Sequence, residues 1–236
     1  MIKIIVVVDD KTGFSDLKNT HGLSLYIEFD NLYLLFDLGP SSEILQHNVD
    51  KLGIDIELLD SIIISHNHVD HFNAIPYVGW VSPFLQIYIP YDSMNSIGKY
   101  AKQNSLKPVE VIDWINPWSS VYVSKPIYGP PWEHFLVFKT NMGLIVLSGC
   151  MHPGVDKTLD TIVNYLNDQV YCIIGGFHLV NALERVVYST IEILFNKYRV
   201  DKIAPLHCSG GLFTSILKNK YSDKYIDLHT GSSIEL

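Results

Sequence analysis

The segment Ser65-His66-Asn67-His68-Val69-Asp70-His71 places three imidazoles and a carboxylate within six residues, directly after the apolar run Ile62 to Ile64. A strand end holds the following turn rigidly, and a turn lets side chains two apart converge on one point, where a continuing strand would send them to opposite faces. A mixed set of histidine nitrogens and an aspartate oxygen suits zinc, with iron or manganese as further candidates. Three more histidines have the same placement. His152 follows Leu144 to Ser148 through Gly149-Cys150-Met151, His178 follows Val170 to Ile174 through Gly175-Gly176-Phe177, and His207 directly follows Ile203 to Leu206. Open sheet architectures place their sites just beyond such carboxyl ends. A metal held by neutral imidazoles with open positions brings the pKa of its water to about 7, which supplies hydroxide for hydrolysis at neutral pH.

The elements that must position these groups follow from pattern. Ile2 to Val8, Leu23 to Phe29, Leu32 to Phe36 and Ser61 to Ser65 read as strands, with a two-residue Asp30-Asn31 turn. A Ser-capped helix ending at Gly53 lies among them. Strand Leu85 to Ile89, helix 93–104 and strand Val109 to Ile112 follow. The Pro- and Trp-rich stretch through residue 132 reads as irregular. A hairpin at Phe135 to Thr140 and Leu144 to Ser148 comes next. Helices at 155–167, 181–198 and 211–218 then alternate with strands Val170 to Ile174, Lys202 to Leu206 and Tyr225 to Leu228. Both halves begin with strands and end in alternation. The expected fold class is therefore α/β, a four-layer αβ/βα sandwich of two mixed β-sheets flanked by helices, in one domain over residues 1–236.

Composition narrows the partners. The 236 residues carry a net charge of −8 and only two arginines, Arg185 and Arg199, so a nucleic-acid backbone would be repelled. No run approaches the roughly 18 apolar residues of a membrane span, and MIKIIVVVDD reads as a buried strand, not as a signal peptide. Three cysteines, an odd number, suggest free thiols, a reducing compartment and a cytoplasmic protein. Hydrophobic residues at 47% are enough for a real core and exclude long disorder, and the hydrolytic chemistry of the histidine site makes a small-molecule substrate the expected partner.

SHNHVDH resembles the HxHxDH motif of the metallo-β-lactamase fold, and GCMH and PLHC fall where that superfamily places later histidines. Asp37-Leu38-Gly39 stands where many members have an Asp-Thr-Gly turn. Together with Asn19-Thr20-His21-Gly22-Leu23-Ser24, GGFHL and HCSG, these motifs are similar to the dihydropteroate-synthase-like branch, the 7,8-dihydropterin-6-methyl-4-(β-D-ribofuranosyl)aminobenzene 5′-phosphate synthases. The resemblance implies a first metal on His66, His68 and His152 and a second on Asp70, His71 and His207, with Asp70 also orienting the nucleophile. The common pattern has a bridging Asp where this chain reads Ile173-Ile174-Gly175-Gly176, so one or two ions fit. His178 enters either as a ligand or as a phosphate or proton contact.

His21 is either a pocket residue or a turn histidine bonded to backbone. Asp37 either orients a ligand histidine through its second nitrogen or forms a turn. His47 and His134 read as surface or structural, and His229, two residues before Gly231, either reaches the site or lies outside it. The aromatic-rich stretch at 113–132 either forms a lid over a flat-ring substrate, makes a homodimer contact, or fills core. Cys208 either approaches the metal or is a buried thiol. The leading functional reading is a metal-dependent hydrolase of a small phosphorylated or ester-type substrate. Its alternatives are a transferase that condenses a dihydropterin diphosphate with an arylamine ribofuranosyl phosphate, and a non-catalytic metal or ligand sensor.

Overall fold

Apolar runs in the first half of the chain, together with a short polar-flanked strand Ser233–Glu235, build one mixed sheet. In the computed structural model, which describes residues 1–236, the chain divides into two compact units: Met1–Ile112 with Leu228–Leu236, and Asp113–Asp227.

The first unit holds β1 (Ile2–Val8), β2 (Ser24–Phe29), β3 (Leu32–Phe36), β4 (Ser61–Ile63), β5 (Gln86–Pro90), β6 (Lys107–Val111) and the last strand of the chain, β15 (Ser233–Glu235). They pair in the order β15-β1-β2-β3-β4-β5-β6, antiparallel as far as β3 and parallel beyond it. Helices α1 (Ser42–Leu52), α2 (Val69–Phe72), α3 (Ile75–Val81) and α4 (Lys99–Gln103) supply the parallel connections. Ser41 starts α1 by accepting the Ile44 N–H at 3.2 Å, and Gly53 ends it. Leu45 and Val49, one turn apart, pack with Ile75 and Val78 of α3 against Leu35, Ile62 and Ile87 of the sheet. Buried Asn48 ties the loop after β1 to this core: its amide donates to Val7 O at 2.7 Å and Lys18 O at 2.8 Å and accepts from Lys18 N–H at 2.9 Å.

The second unit contains β7 (Ile115–Trp118), β8 (Val121–Val123), β9 (Ile127–Tyr128), β10 (Trp132–Glu133), β11 (Leu136–Thr140), β12 (Gly143–Ser148), β13 (Val170–Gly175) and β14 (Lys202–Pro205). Six of these form a sheet in the order β14-β13-β12-β11-β8-β7, parallel from β12 to β14, while β9 pairs with β10. Helices α5 (Val155–Leu166), α6 (Glu184–Glu192) and α7 (Gly211–Lys220) cover it. Leu159 and Ile162 of α5, Val187 and Ile191 of α6, and Phe213 and Leu217 of α7 pack with Val137, Val146 and Ile173.

Two mixed sheets with helices are the fold class the sequence leads one to expect, and three local expectations are corrected. Residues 113–132 are not irregular: they carry β7 to β9 and the start of β10. Pro117 cannot donate a ladder bond, and it sits in β7, the edge strand, where none is needed. Trp114 stacks on Tyr165 of α5 with centroids 4.1 Å apart and packs on this unit's core. Residues 225–228 make only a single bridge, Tyr225 to Ile203, and the final strand is β15 on β1. Strand β4 stops at Ile63, two residues early, because the Asp37 carboxylate takes the Ser65 N–H at 2.7 Å.

Removing the α1 cap tests the first of these packing arguments. Ser41→Ala should lower stability by about 1 kcal/mol in urea-induced unfolding, and an unchanged midpoint would contradict it.

Candidate metal centre

In the first unit the site begins at Asp37, one residue past β3 and fully buried. Its backbone is left-handed, with φ 58°. Its Oδ1 accepts Ser65 N–H, and its Oδ2 accepts both the Ser65 hydroxyl and His71 Nδ1–H, each at 2.7 Å. A carboxylate only accepts, so His71 carries its proton on Nδ1 and presents Nε2 as the lone-pair nitrogen. The Ser65 hydroxyl has spent its proton on Asp37 and therefore accepts from His66 Nδ1 at 2.8 Å. His66 too presents Nε2. That nitrogen lies 3.0 Å from His68 Nδ1. The His66 ring centroid lies 4.1 Å from that of His71 and 4.7 Å from that of His68.

Asp70, on α2, completes this cluster. Its Oδ2 lies 3.6 Å from His71 Nε2 and 3.4 Å from His21 Nε2. The other nitrogen of His21 is 2.8 Å from Asp10 Oδ2, and Asp10 Oδ1 accepts Gly22 N–H at 3.2 Å. Gly22 allows this approach, because a Cβ there would stand 2.6 Å from Asp70 O and 2.7 Å from a Pro40 ring carbon.

The second unit gathers its own set at the ends of β12, β13 and β14. The fully buried Glu133 carboxylate accepts three successive backbone N–H groups, from Cys150 and Met151 at 2.9 Å each and from His152 at 2.7 Å. Burial nevertheless pushes its pKa up from 4.5 to about 7. The His152 and His178 rings lie 4.3 Å apart. Ligand atoms of Cys150, His152 and His178 lie within 4.8 Å of one another, and so do those of Cys150, His207 and Cys208. Cys208 Sγ accepts His178 N–H at 3.3 Å. The Cys150 side chain, hydrogen-bonded to Cys208, and then His178 and His207, hold the Cys208 thiol well below the usual range. His178 is raised, chiefly by its own bond to Cys208. Gly176 lets these loops meet: a Cβ there would stand 2.3 Å from Gly149 O and 2.7 Å from Cys208 Sγ. Met151, His178 and His207 all have left-handed backbones, at φ 60°, 52° and 47°.

The donors fit a transition metal. Two imidazole nitrogens on one tetrahedral zinc stand about 3.3 Å apart, close to the 3.0 Å between His66 Nε2 and His68 Nδ1 and the 3.6 Å between Asp70 and His71. The first unit thus gathers His66, His68, Asp70, His71, Asp37 and His21, and the second gathers His152, His178 and His207. Of the other histidines, His47 bonds Asp16 O at 2.8 Å, His229 packs edge-on against Phe14, and His134 is buried. Four participants carry no assignment from sequence: Ser65, Asp10, Glu133 and Cys150. Only Ser65 had a signal, a polar residue ending an apolar strand one place before His66.

No protein-family model matches the chain. It is 26% identical, over 99% of its length and 96% of the relative's, to the 7,8-dihydropterin-6-methyl-4-(β-D-ribofuranosyl)-aminobenzene-5′-phosphate synthase of Methanocaldococcus jannaschii. Among solved structures it superposes on a metal-dependent hydrolase of the β-lactamase superfamily with a TM-score of 0.84 and 24% identity, covering 100% of this chain and 99% of the other. The metallo-β-lactamase fold protein YhfI from Bacillus subtilis gives 0.73 at 13% identity, with both chains fully covered. No helix is long and apolar enough to cross a membrane.

Two outcomes follow from the buried carboxylates. Asp37→Ala strands three buried donors, Ser65 N–H, the Ser65 hydroxyl and His71 Nδ1–H, and should cost about 3 kcal/mol in urea unfolding, with Asp37→Asn milder; equal stability of all three proteins would contradict this. Folded Glu133 keeps a proton that the unfolded chain releases between pH 4.5 and about 7. Its contribution is therefore full below pH 4.5 and lost as pH rises through about 7, a change on the order of 3 kcal/mol. Glu133→Gln should abolish that slope, and a stability difference between the two proteins that stays constant across the window would refute it.

Proposed function

We propose that this chain, which has the metallo-β-lactamase fold, is a metal-dependent hydrolase of a small phosphorylated or ester-type substrate. One observation carries the reading: Asp37 and Ser65 commit the Nδ1 protons of His71 and His66, so both rings offer Nε2 as a ligand beside Asp70. Buried carboxylates that orient ligating histidines in this way are characteristic of metal centres. The ligand sets we propose are those the motif resemblance implies, His66, His68 and His152 for one ion and Asp70, His71 and His207 for the second. Zinc suits these donors best, with iron or manganese as alternatives. When bound, such an ion supplies Lewis acidity and a water that ionises near neutral pH.

The chain's own residues then have distinct tasks. Asp70 Oδ2, between His21 Nε2 and His71 Nε2, orients the nucleophile and takes its proton. His21, with two-thirds of its side chain exposed and its other nitrogen held by Asp10, is placed to meet the substrate. His178 offers a ring N–H to an anionic substrate oxygen.

A transferase is the second reading, favoured by the full-length similarity to the M. jannaschii synthase. In that reaction an arylamine nitrogen bonds to a pterin methylene carbon, the carbon–oxygen bond to diphosphate breaks, and the amine gives up one proton. The completeness of the donor set weighs against a non-catalytic sensor.

Metal analysis of protein purified without added metal tests the shared premise. His68→Ala should lose bound metal and reduce turnover by at least about 100-fold; full metal and full activity would sink the site. A panel of phosphodiesters and lactones should reveal hydrolysis. Incubation with a hydroxymethyl-dihydropterin diphosphate and an arylamine separates the two reactions, since a condensed pterin establishes the transferase and release of diphosphate alone favours the hydrolase.

A further inference from the structure

We infer that Cys150, His207 and Cys208 form a Cys2His ligand set for a zinc-class cation, in which two sulfurs do the work of the carboxylate missing after β13. The inference rests on the metal dependence proposed above and, where the motif resemblance would pair His207 with Asp70 and His71, gives it two sulfur partners instead. The two sulfurs and one imidazole nitrogen already lie within 4.8 Å of one another, and all three residues are buried. Around tetrahedral zinc such donors stand roughly 3.3 to 3.8 Å apart, so at most a small contraction closes the set.

The loops are built to hold the sulfurs there. Glu133 takes the Cys150 N–H at 2.9 Å, while Cys208 O accepts Leu179 N–H at 2.9 Å and Val180 N–H at 3.1 Å. His178 N–H points at Cys208 Sγ, and the absent side chain of Gly176 leaves room for that sulfur. Two thiolates balance a divalent charge, which makes the loaded set neutral in a buried place. Cysteine binds such an ion as the thiolate, so any thiol still protonated gives up its proton on binding. Three protein donors leave a fourth position open, as catalytic zinc requires. Sulfur donors also select zinc-like ions over magnesium or calcium. Cys172, buried in the interior of β13 and not among Cys150, His207 and Cys208, serves as an internal control.

Cobalt(II) titration of the reduced, metal-stripped full-length protein tests the assignment. A near-ultraviolet thiolate-to-cobalt charge-transfer band should appear, weaken by about half in Cys150→Ser and in Cys208→Ser, vanish in the double variant and persist in Cys172→Ser. Cobalt bound with visible bands but no near-ultraviolet band, or an identical band in the serine variants, overturns the inference and leaves metal dependence standing. No cobalt binding at all overturns both. Should the serine variants fail to fold, the cadmium-113 resonance of the wild-type protein decides: a strong downfield shift supports two sulfurs, and a shift typical of nitrogen and oxygen ligands overturns them.

Discussion

The first unit's site depends on one buried negative charge. The carboxylate of Asp37 is wholly removed from water, a costly placement that only a full set of donors can offset. Its partners are a backbone N–H, a hydroxyl and an imidazole, and each is thereby fixed. The backbone of Asp37 is pinned as well, through its N–H to Ile63 O at 2.8 Å and its carbonyl accepting the Ser24 hydroxyl at 2.9 Å. Leu38 N–H donates to His71 O at 2.7 Å, which draws α2 to the same point. A strand end, a diverted strand and a short helix are thus bound to one carboxylate, and the ring tautomers of His66 and His71 follow from it.

Glu133 is the counterpart in the second unit and works by a different route. It holds no histidine side chain and instead gathers the backbone of three successive residues, so that Cys150 and His152 leave β12 in a fixed curve. Left-handed backbones at Met151, His178 and His207 make similar curves at all three parallel strand ends. Such conformations are costly for residues with a Cβ and persist where the surroundings over-determine them.

What could be read in the sequence was whatever is encoded locally. Apolar runs such as Leu144 to Ser148 and Val170 to Ile174 identify buried strands, Ser41 and Gly53 bracket α1, and the histidines follow apolar runs at a readable distance. Contacts that join distant segments were not readable. Glu133 follows Pro130, Pro131 and Trp132 and shows no periodicity that marks it as an anchor for residues 150–152. Cys150 and Cys208 are 58 residues apart with no paired-cysteine spacing, and only the parallel register of β12, β13 and β14 brings them near each other. Strands β7 and β15 are too short, or too interrupted by proline, for pattern to distinguish them from loop.

The position of β15 bears on how the polypeptide acquires its structure during synthesis. Lys3, Ile4 and Ile5 of β1 are aligned with Glu235, Ile234 and Ser233 in that order, so one edge of β1 is covered only by a strand far along the chain. The second unit, Asp113–Asp227, is continuous and is complete in the nascent chain before that strand exists. At about 5 to 20 residues per second, the apolar edge Ile2–Val8 waits on the order of ten seconds or more for its partner. An open, β-branched edge invites pairing with other chains. The ribosome therefore delivers the N-terminal sheet unfinished, and that interval is when this protein is most exposed to misassembly.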